Sequence, residues 1–279
     1  KYCMPDGLIC KKNHKDILTL EEINEISKIF VKKGIKKIRL TGGEPLVRKN
    51  VETLVKMLAE IDGLEDLAMT TNGYFLKEKA KILWENGLKR LNISIDSLDD
   101  EKYKMISQGG DLKKVLDAIK YAQKFSYLIK INCVLIRGFN DGEIYNFIKF
   151  SKENNLKLRF IELMPIGGTA DFSKDKYISS DEIIKKLNLI PIKNPDENSP
   201  TSLYKVPKID YTIGLIEPLS HKFCKTCNRL RLTADGKIRP CLHSDLEIDL
   251  KKAIRENKDI EKLIDEALMK QPQRHHLEK

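Results

Sequence analysis

Helix and strand patterns alternate regularly along the first two-thirds of this 279-residue chain, and this alternation is the strongest constraint on its fold. Apolar residues recur every three to four positions in some stretches and in short continuous or alternating runs in others. Strands that alternate with helices form right-handed βαβ units and a parallel sheet. We therefore predict an α/β fold, either an α/β barrel or a doubly wound sheet.

The predicted elements follow one another without a long interruption. The predicted strands cover residues 37–41, 67–71, 91–95, 129–136 and 158–163. The predicted helices cover residues 19–33, 51–61, 77–86, 111–125, 141–154 and 180–187. In a barrel of this kind, functional residues lie at the carboxyl ends of the strands.

The carboxyl ends of the predicted strands carry polar or glycine-rich segments. The first strand runs into Gly42–Pro45 (GGEP), and the second runs into TTNG at residues 70–73. GGEP taken alone is more often a tight turn than a binding site. The chain contains neither GxGxxG nor GxxxxGK[ST], which disfavours a Rossmann dehydrogenase and a P-loop NTPase.

Composition indicates a soluble protein with a substantial core. Hydrophobic residues make up 41% of the chain and charged residues 33%, and no apolar run approaches the length of a membrane helix. Without a signal-peptide pattern, we expect a cytoplasmic protein. The formal net charge of +10 fits either a solvated lysine-rich surface or attraction to a polyanion.

A polar segment at residues 193–200 (KNPDENSP) breaks the alternation and predicts a linker. We therefore predict one domain over residues 1–192 and a second over residues 193–279. Beyond the linker, the sequence predicts a short strand near residues 211–218, a cysteine-bearing hairpin, and one or two charged helices.

Three cysteines in the carboxyl-terminal part have the spacing of a metal site. Cys224 and Cys227 form a CxxC pair, and thirteen residues separate Cys227 from Cys241. Three thiolates can hold a four-iron cluster that keeps one iron open to another ligand. Zinc is the alternative occupant, with His221 or His243 as a fourth ligand.

The segment between these cysteines predicts a hairpin with a basic face. Asp235–Gly236 is a hairpin turn signal, so residues 229–233 and 237–239 are expected to pair and to return the third cysteine beside the first two. Arg229 and Arg231 are two residues apart and would share one face of a strand. Two guanidinium groups on one face can bind phosphate or carboxylate.

Several segments together resemble a known family. Lys1–Cys3 (KYC) resembles the end of the CxxxCxxC signature of radical S-adenosylmethionine enzymes, in which an aromatic residue precedes the last cysteine. GGEP resembles the motif that binds the methionine amino group. The segments IRLTGGEPLVR, TTNG, NISID, RFIELMP and FCKTCNRLRLTADGKIRPCL resemble one branch, the GTP 3′,8-cyclases of molybdenum cofactor biosynthesis. The resemblance runs from residue 1 to about residue 245.

The resemblance implies a fold and a set of cofactors. The fold is a partial TIM-type barrel of parallel strands, with a carboxyl-terminal extension that carries an auxiliary cluster and part of the GTP site. The cofactors are two [4Fe–4S] clusters and S-adenosyl-L-methionine. Cys3 is implied as a ligand of the first cluster, and the second is implied on Cys224, Cys227 and Cys241, with its open iron facing guanine.

The resemblance also implies roles for individual residues. The positions expected to contact S-adenosylmethionine are Tyr2, Gly43, Glu44, Ser94 and Met164. The positions expected to bind GTP are Arg39, Thr70, Lys130, Arg229 and Arg231.

The implied activity is that of a lyase. Reductive cleavage of S-adenosylmethionine would give a 5′-deoxyadenosyl radical that removes the 3′ hydrogen of GTP. The carbon radical would then attack C8 and give (8S)-3′,8-cyclo-7,8-dihydroguanosine 5′-triphosphate, in the first step of molybdopterin biosynthesis. The implied partners are an electron donor, a downstream cyclic pyranopterin monophosphate synthase that receives the product, and a possible second copy of the chain. Neither nucleic acid nor a membrane is expected as a partner.

The chain also departs from the family pattern. The first two cysteines of the signature would precede Lys1, and an amino-terminal arginine for GTP and a terminal Gly-Gly are missing. Either the native chain has further termini or this form is not competent. Two alternatives stay open: another radical S-adenosylmethionine enzyme with an auxiliary cluster, such as a peptide modifier, and a zinc-stabilised RNA-binding protein.

Overall fold

The computed structural model describes residues 2, 13–165, 175–242 and 246–270. An eight-stranded sheet lies at its centre, with the strand order β1-β2-β3-β4-β5-β8-β7-β6. The strands are β1 Lys37–Leu40, β2 Asp66–Thr71, β3 Arg90–Ser94, β4 Leu128–Leu135, β5 Lys157–Glu162, β6 Ile190–Ile192, β7 Thr201–Val206 and β8 Tyr211–Ile216. All of the predicted strands are present.

The predicted helices are also present, and several begin at a side-chain cap. Thr19 and Glu22 form a capping box at the start of the first helix, and Asp111 caps the fifth. The helices are α1 Leu20–Lys32, α2 Val51–Ala59, α3 Leu76–Glu85, α4 Asp100–Ile106, α5 Leu112–Gln123, α6 Ile144–Glu153, α7 Ser180–Leu187, α8 Leu250–Arg255 and α9 Ile260–Met269. Helix α4 was not predicted. No described helix is long and apolar enough to cross a membrane.

The strand order distinguishes a barrel from a doubly wound sheet. Strands β1 to β5 are parallel and adjacent in chain order, and β8 continues the parallel sheet beside β5. A doubly wound sheet reverses its order at a switch point, which these strands do not. Among the described strands, β1 and β6 form the two edges, so the barrel is open. The predicted partial barrel is confirmed.

The two faces of the sheet have different chemistry. Side chains such as Met69, Leu91 and Ile131 point toward the helices and are fully buried in the main core. Cys133 belongs to this face, and burial raises the pKa of its thiol well above the ordinary value. Cys133 is therefore a core residue whose thiol stays protonated.

The carboxyl-terminal extension packs against α1. Its sheet consists of β9 Arg231–Leu232, β10 Lys237–Arg239 and β11 Ile248–Asp249. The antiparallel pairing of β9 with β10 confirms the predicted hairpin, although the strand begins at Arg231 and not at residue 229. Buried side chains of α1, β10, α8 and α9 form a second core.

Residues 193–200 connect β6 to β7, two antiparallel neighbours in the same sheet. The segment predicted as a linker is therefore a loop at the edge of the partial barrel. The division into residues 1–192 and 193–279 stays a prediction.

Candidate functional site

The sheet face that points away from the helices carries polar and basic side chains, and we call it the inner face. Side chains alternate between the two faces along each strand, and residues paired across neighbouring strands point to the same face. The strand pairing therefore identifies the residues of the inner face. Thr70 pairs with Asn92, and Asn92 pairs with Lys130. The polar and charged members of the inner face on β1 to β5 are Lys37, Arg39, Asp66, Thr70, Arg90, Asn92, Ser94, Lys130, Asn132, Lys157 and Arg159.

Basic side chains repel one another across the inner face. Desolvation lowers the pKa of Lys130 to about 7, and Arg159 and Arg90 add repulsion. Desolvation likewise lowers the pKa of Arg159 to about 10, with further repulsion from Arg39. Asp66 forms an ion pair with Arg90. The face has strong positive potential, which suits a ligand with several negative charges.

The carboxyl-terminal extension adds two arginines to this charge. The pKa of Arg39 is lowered by desolvation first, then by Arg90, and then by Arg229 and Arg231. Arg229 donates a hydrogen bond to the backbone oxygen of Asn198 at 3.2 Å. The structure therefore brings four of the five predicted GTP-binding residues into one electrostatic cluster, namely Arg39, Lys130, Arg229 and Arg231.

Two basic residues of this cluster were missed by the sequence analysis. Arg90 and Arg159 lie on the inner face of β3 and β5. Arg159 is 8% exposed and pairs with Gly214, where a Cβ would lie 3.1 Å from the arginine Cγ and 2.4 Å from Thr201 Cγ2. Gly214 thus leaves the space that the arginine fills. The alternation of polar and apolar residues in β3 was a usable signal for Arg90.

Glu44 joins two loops at the carboxyl ends of β1 and β2. Its Oε1 accepts hydrogen bonds from Thr71 Oγ1 at 2.6 Å and from Leu46 N at 3.0 Å, and its Oε2 accepts from Asn72 N at 2.7 Å. A carboxylate has about four acceptor positions, so one remains for a ligand. At Gly43, a Cβ would meet no atom within 4 Å, so the backbone borders open space.

The remaining predicted S-adenosylmethionine residues lie at the same edge. Ser94 is the last residue of β3, and Met164 follows β5 by two residues. Tyr2 donates from its hydroxyl to Asp96 Oδ2 at 2.9 Å, and Val134 N donates to the other oxygen of Asp96 at 2.8 Å. Burial raises the pKa of Asp96 to about 6. Asp96 therefore joins Tyr2 to the ends of β3 and β4.

Glu162, the last residue of β5, anchors the end of that strand two residues before Met164. Its buried carboxylate accepts from the backbone nitrogens of Ser180, Leu219 and Ser220 at 3.0, 2.9 and 3.1 Å. Several donors to one buried carboxylate fix the loop after β8 and the start of α7 against β5. This contact holds the backbone that leads to Met164.

The three cysteines of the extension are half-buried and form no disulfide. Cys224 and Cys227 lie in one short helical turn, where Cys227 N donates to Cys224 O at 3.1 Å. Arg229 Nη1 lies 3.8 Å from Cys227 Sγ. Desolvation and the charge of Arg229 lower the pKa of Arg231, whereas Cys227 and Cys241 raise it.

The described residues contain no group of three Cys, His, Asp or Glu side chains that could hold a metal ion. His221 binds Asp181 at 2.9 Å, while His243 and Cys3 lie outside the described residues.

Family comparisons agree with this geometry. Residues 1–151 match the model of the radical SAM superfamily, and residues 156–277 match Molybdenum Cofactor Synthesis C. A GTP 3′,8-cyclase of Alkaliphilus oremlandii is 47% identical over 280 residues, which cover 99% of this chain and 87% of the relative. The chain belongs to the GTP 3′,8-cyclase family. This confirms the predicted family and the class of radical S-adenosylmethionine lyase, with that cofactor and an iron–sulfur cluster.

Further family members support the same conclusion. The GTP 3′,8-cyclase of Peptoclostridium acidaminophilum is 48% identical over 99% of this chain and 86% of its own length. That of Moorella thermoacetica is 44% identical over 100% of this chain and 88% of its own length. These matches favour the family over both alternatives.

Two solved structures share the fold. Streptococcus suis SuiB bound to S-adenosylmethionine superposes with a TM-score of 0.62 at 14% identity, over 91% of this chain and 59% of SuiB. Methylornithine synthase superposes with a TM-score of 0.51 at 23% identity, over 61% of this chain and 52% of its own. They support the partial barrel.

Proposed function

We propose that this chain converts GTP into (8S)-3′,8-cyclo-7,8-dihydroguanosine 5′-triphosphate at the inner face of the partial barrel. The observation that carries this proposal is the cluster of mutually repelling cations on that face, joined by Arg229 and Arg231 of the extension. A triphosphate would relieve this repulsion, and guanidinium groups bind phosphate oxygens with two donors each.

The proposal assigns residues to two ligands. The residues proposed to bind GTP are Arg39, Thr70, Lys130, Arg229 and Arg231. The residues proposed to bind S-adenosylmethionine are Tyr2, Gly43, Glu44, Ser94 and Met164. The contacts of Glu44 with the loop after β2 support its role, because they fix a carboxylate with one remaining acceptor position where an amino group could donate.

We further propose two [4Fe–4S] clusters, one with Cys3 among its ligands and one on Cys224, Cys227 and Cys241. Bound with S-adenosylmethionine, the first would supply the one-electron chemistry of the reaction. Arg229 and Arg231, which lie beside Cys227 and Cys241, would place the nucleotide next to the second cluster. An electron donor, product transfer to cyclic pyranopterin monophosphate synthase, a homodimer and a cytoplasmic location also belong to this proposal, with no nucleic-acid or membrane partner.

Substitution of the extension arginines tests the GTP site. We expect Arg229→Ala and Arg231→Ala each to weaken GTP binding about tenfold or more, because each loses charged hydrogen bonds to phosphate. The visible absorption of the anaerobic protein should stay unchanged. Lys149→Ala is a matched control, because this lysine lies on α6 and its side chain is 75% exposed. Wild-type GTP affinity in both arginine variants would refute the assignment.

Metal analysis tests the clusters separately. We expect anaerobically prepared protein to be brown and to contain iron and sulfide. A colourless protein with one zinc ion would contradict the iron–sulfur proposal, whatever the outcome for GTP binding.

A further inference from the structure

The loop of residues 193–200, which we call the edge loop, reaches two cations near the nucleotide site. Asp196 Oδ2 accepts from Lys37 Nζ at 2.9 Å, and Asn198 O accepts from Arg229 Nη2 at 3.2 Å. Lys37 precedes Arg39 by two residues in β1 and therefore belongs to the same face. A carboxylate and a carbonyl oxygen of the protein thus lie where phosphate oxygens could bind.

The two oxygens of Asp196 have separate partners. Oδ1 accepts a hydrogen bond from Asn198 N at 3.2 Å and stabilises the turn of the edge loop. In the same turn, Ser199 N donates to the backbone oxygen of Asp196 at 3.0 Å. Oδ2 holds Lys37. The side chains of Lys37 and Asp196 are 58% and 47% exposed, so solvent can replace either partner when they separate.

The charge on Asp196 is stabilised by the same cations. The hydrogen bond from Lys37 is the largest influence that lowers the pKa of Asp196, and Arg229 contributes at longer range. Asp196 is therefore ionised at neutral pH and lies within the positive field that we assign to the triphosphate. An anion bound there must compete with it.

We propose that Asp196 is a specificity-determining residue that competes with the terminal phosphates of the nucleotide for Lys37 and thereby sets how affinity depends on phosphate number. This inference rests on the proposed GTP site. A nucleoside monophosphate that does not reach Lys37 has no competitor to displace, whereas a triphosphate does. Because substrate and product carry the same triphosphate, the competition also weakens product binding and favours release.

Asp196→Asn tests this inference, with Glu197→Gln as a matched control. The asparagine keeps an oxygen for Asn198 N and loses only the charge. Glu197 is the neighbouring acid of the edge loop, and its side chain is 80% exposed and lies 3.9 Å from Lys193. An exposed ion pair changes an equilibrium constant by a factor of about 1.5 to 5.

GTP, GDP and GMP are titrated anaerobically into wild type and both variants by calorimetry. We expect Asp196→Asn to bind GTP about two- to fivefold more tightly, GDP with a smaller gain, and GMP as wild type does. Glu197→Gln should match wild type for all three. A GTP affinity equal to or below that of wild type, or an equal gain for GMP, would overturn the inference. Wild-type protein that binds no GTP would overturn the proposed function as well.

Hydrogen exchange gives a second measurement on unmodified protein. If GTP displaces Asp196, exchange at the amides of Asn198 and Ser199 should rise on addition of GTP and stay unchanged with GMP. Stronger protection of these amides with GTP would show that the edge loop closes over the ligand, and it would refute competition.

Discussion

Raising the pH should weaken GTP binding through Lys130. Burial and the neighbouring Arg159 and Arg90 lower the pKa of this lysine to about 7, so the neutral amine predominates above that pH. A bound phosphate favours the ammonium form, so GTP binding takes up a proton. Affinity must then fall as the pH rises.

The pKa of Lys130 sets the size of the effect. If GTP restores the ordinary lysine pKa of about 10.4, affinity falls about fivefold between pH 7 and 8 and about ninefold between pH 8 and 9, which makes about fiftyfold between pH 7 and 9. The side chain of Lys130 is half-buried, so solvent screening reduces this maximum. We expect a loss of about ten- to fiftyfold.

Equilibrium binding of GTP at pH 7, 8 and 9 measures this loss, and Lys130→Arg is the control. The last ionisation of a phosphate group has a pKa of about 6, so the ligand is mostly ionised at pH 7 and contributes little slope above it. Arginine stays charged throughout, so the variant should have a nearly flat profile. Parallel profiles for wild type and Lys130→Arg would refute the assignment of Lys130 to the phosphates.

Two further substitutions test the packing and the polar contacts around the site. Gly214→Ala places a Cβ 2.4 Å from Thr201 Cγ2 and should lower the free energy of unfolding by about 1–3 kcal/mol. Gly142→Ala is the control, because its Cβ meets no atom within 4 Å. Equal melting temperatures for the two variants would contradict the packing argument. Glu44→Gln should lower the free energy of unfolding, measured with urea, by about 1–3 kcal/mol. Either orientation of the amide sets its NH₂ group against a backbone N–H, that of Leu46 or that of Asn72. An unchanged urea midpoint would contradict this prediction.

Local sequence patterns were sufficient for the parallel strands but not for the edge of the sheet. The predicted strands 37–41 and 129–136 correspond to β1 and β4 within one residue at each end, because apolar residues at every second position mark both. Strand β6 has the sequence Ile190-Pro191-Ile192, in which all three residues are exposed. Its extended form comes from pairing with β7, a contact that the local pattern does not reveal.

The candidate site shows the same contrast between local sequence patterns and contacts that join distant parts of the chain. The family resemblance supplied residues such as Lys130 and Arg231, which the structure places in one electrostatic cluster. Arg90 and Arg159 were missed because their importance depends on cross-strand register, which brings side chains from distant parts of the chain to one face. The contact of Asp196 with Lys37 joins residues 159 positions apart and has no local signal.

The polar inner face has a consequence for stability. In a closed barrel, branched apolar side chains fill the space between the strands. Here the apolar packing lies on the helix side, and the inner face holds charges that repel one another. At the proposed sites, nucleotide and cofactor would take the place of interior side chains, and the ligand-bound protein should be more stable than the ligand-free protein by about 2.7 kcal/mol at a hundredfold excess over Kd. The proposed ligands would then complete the interior that the protein's own side chains leave open.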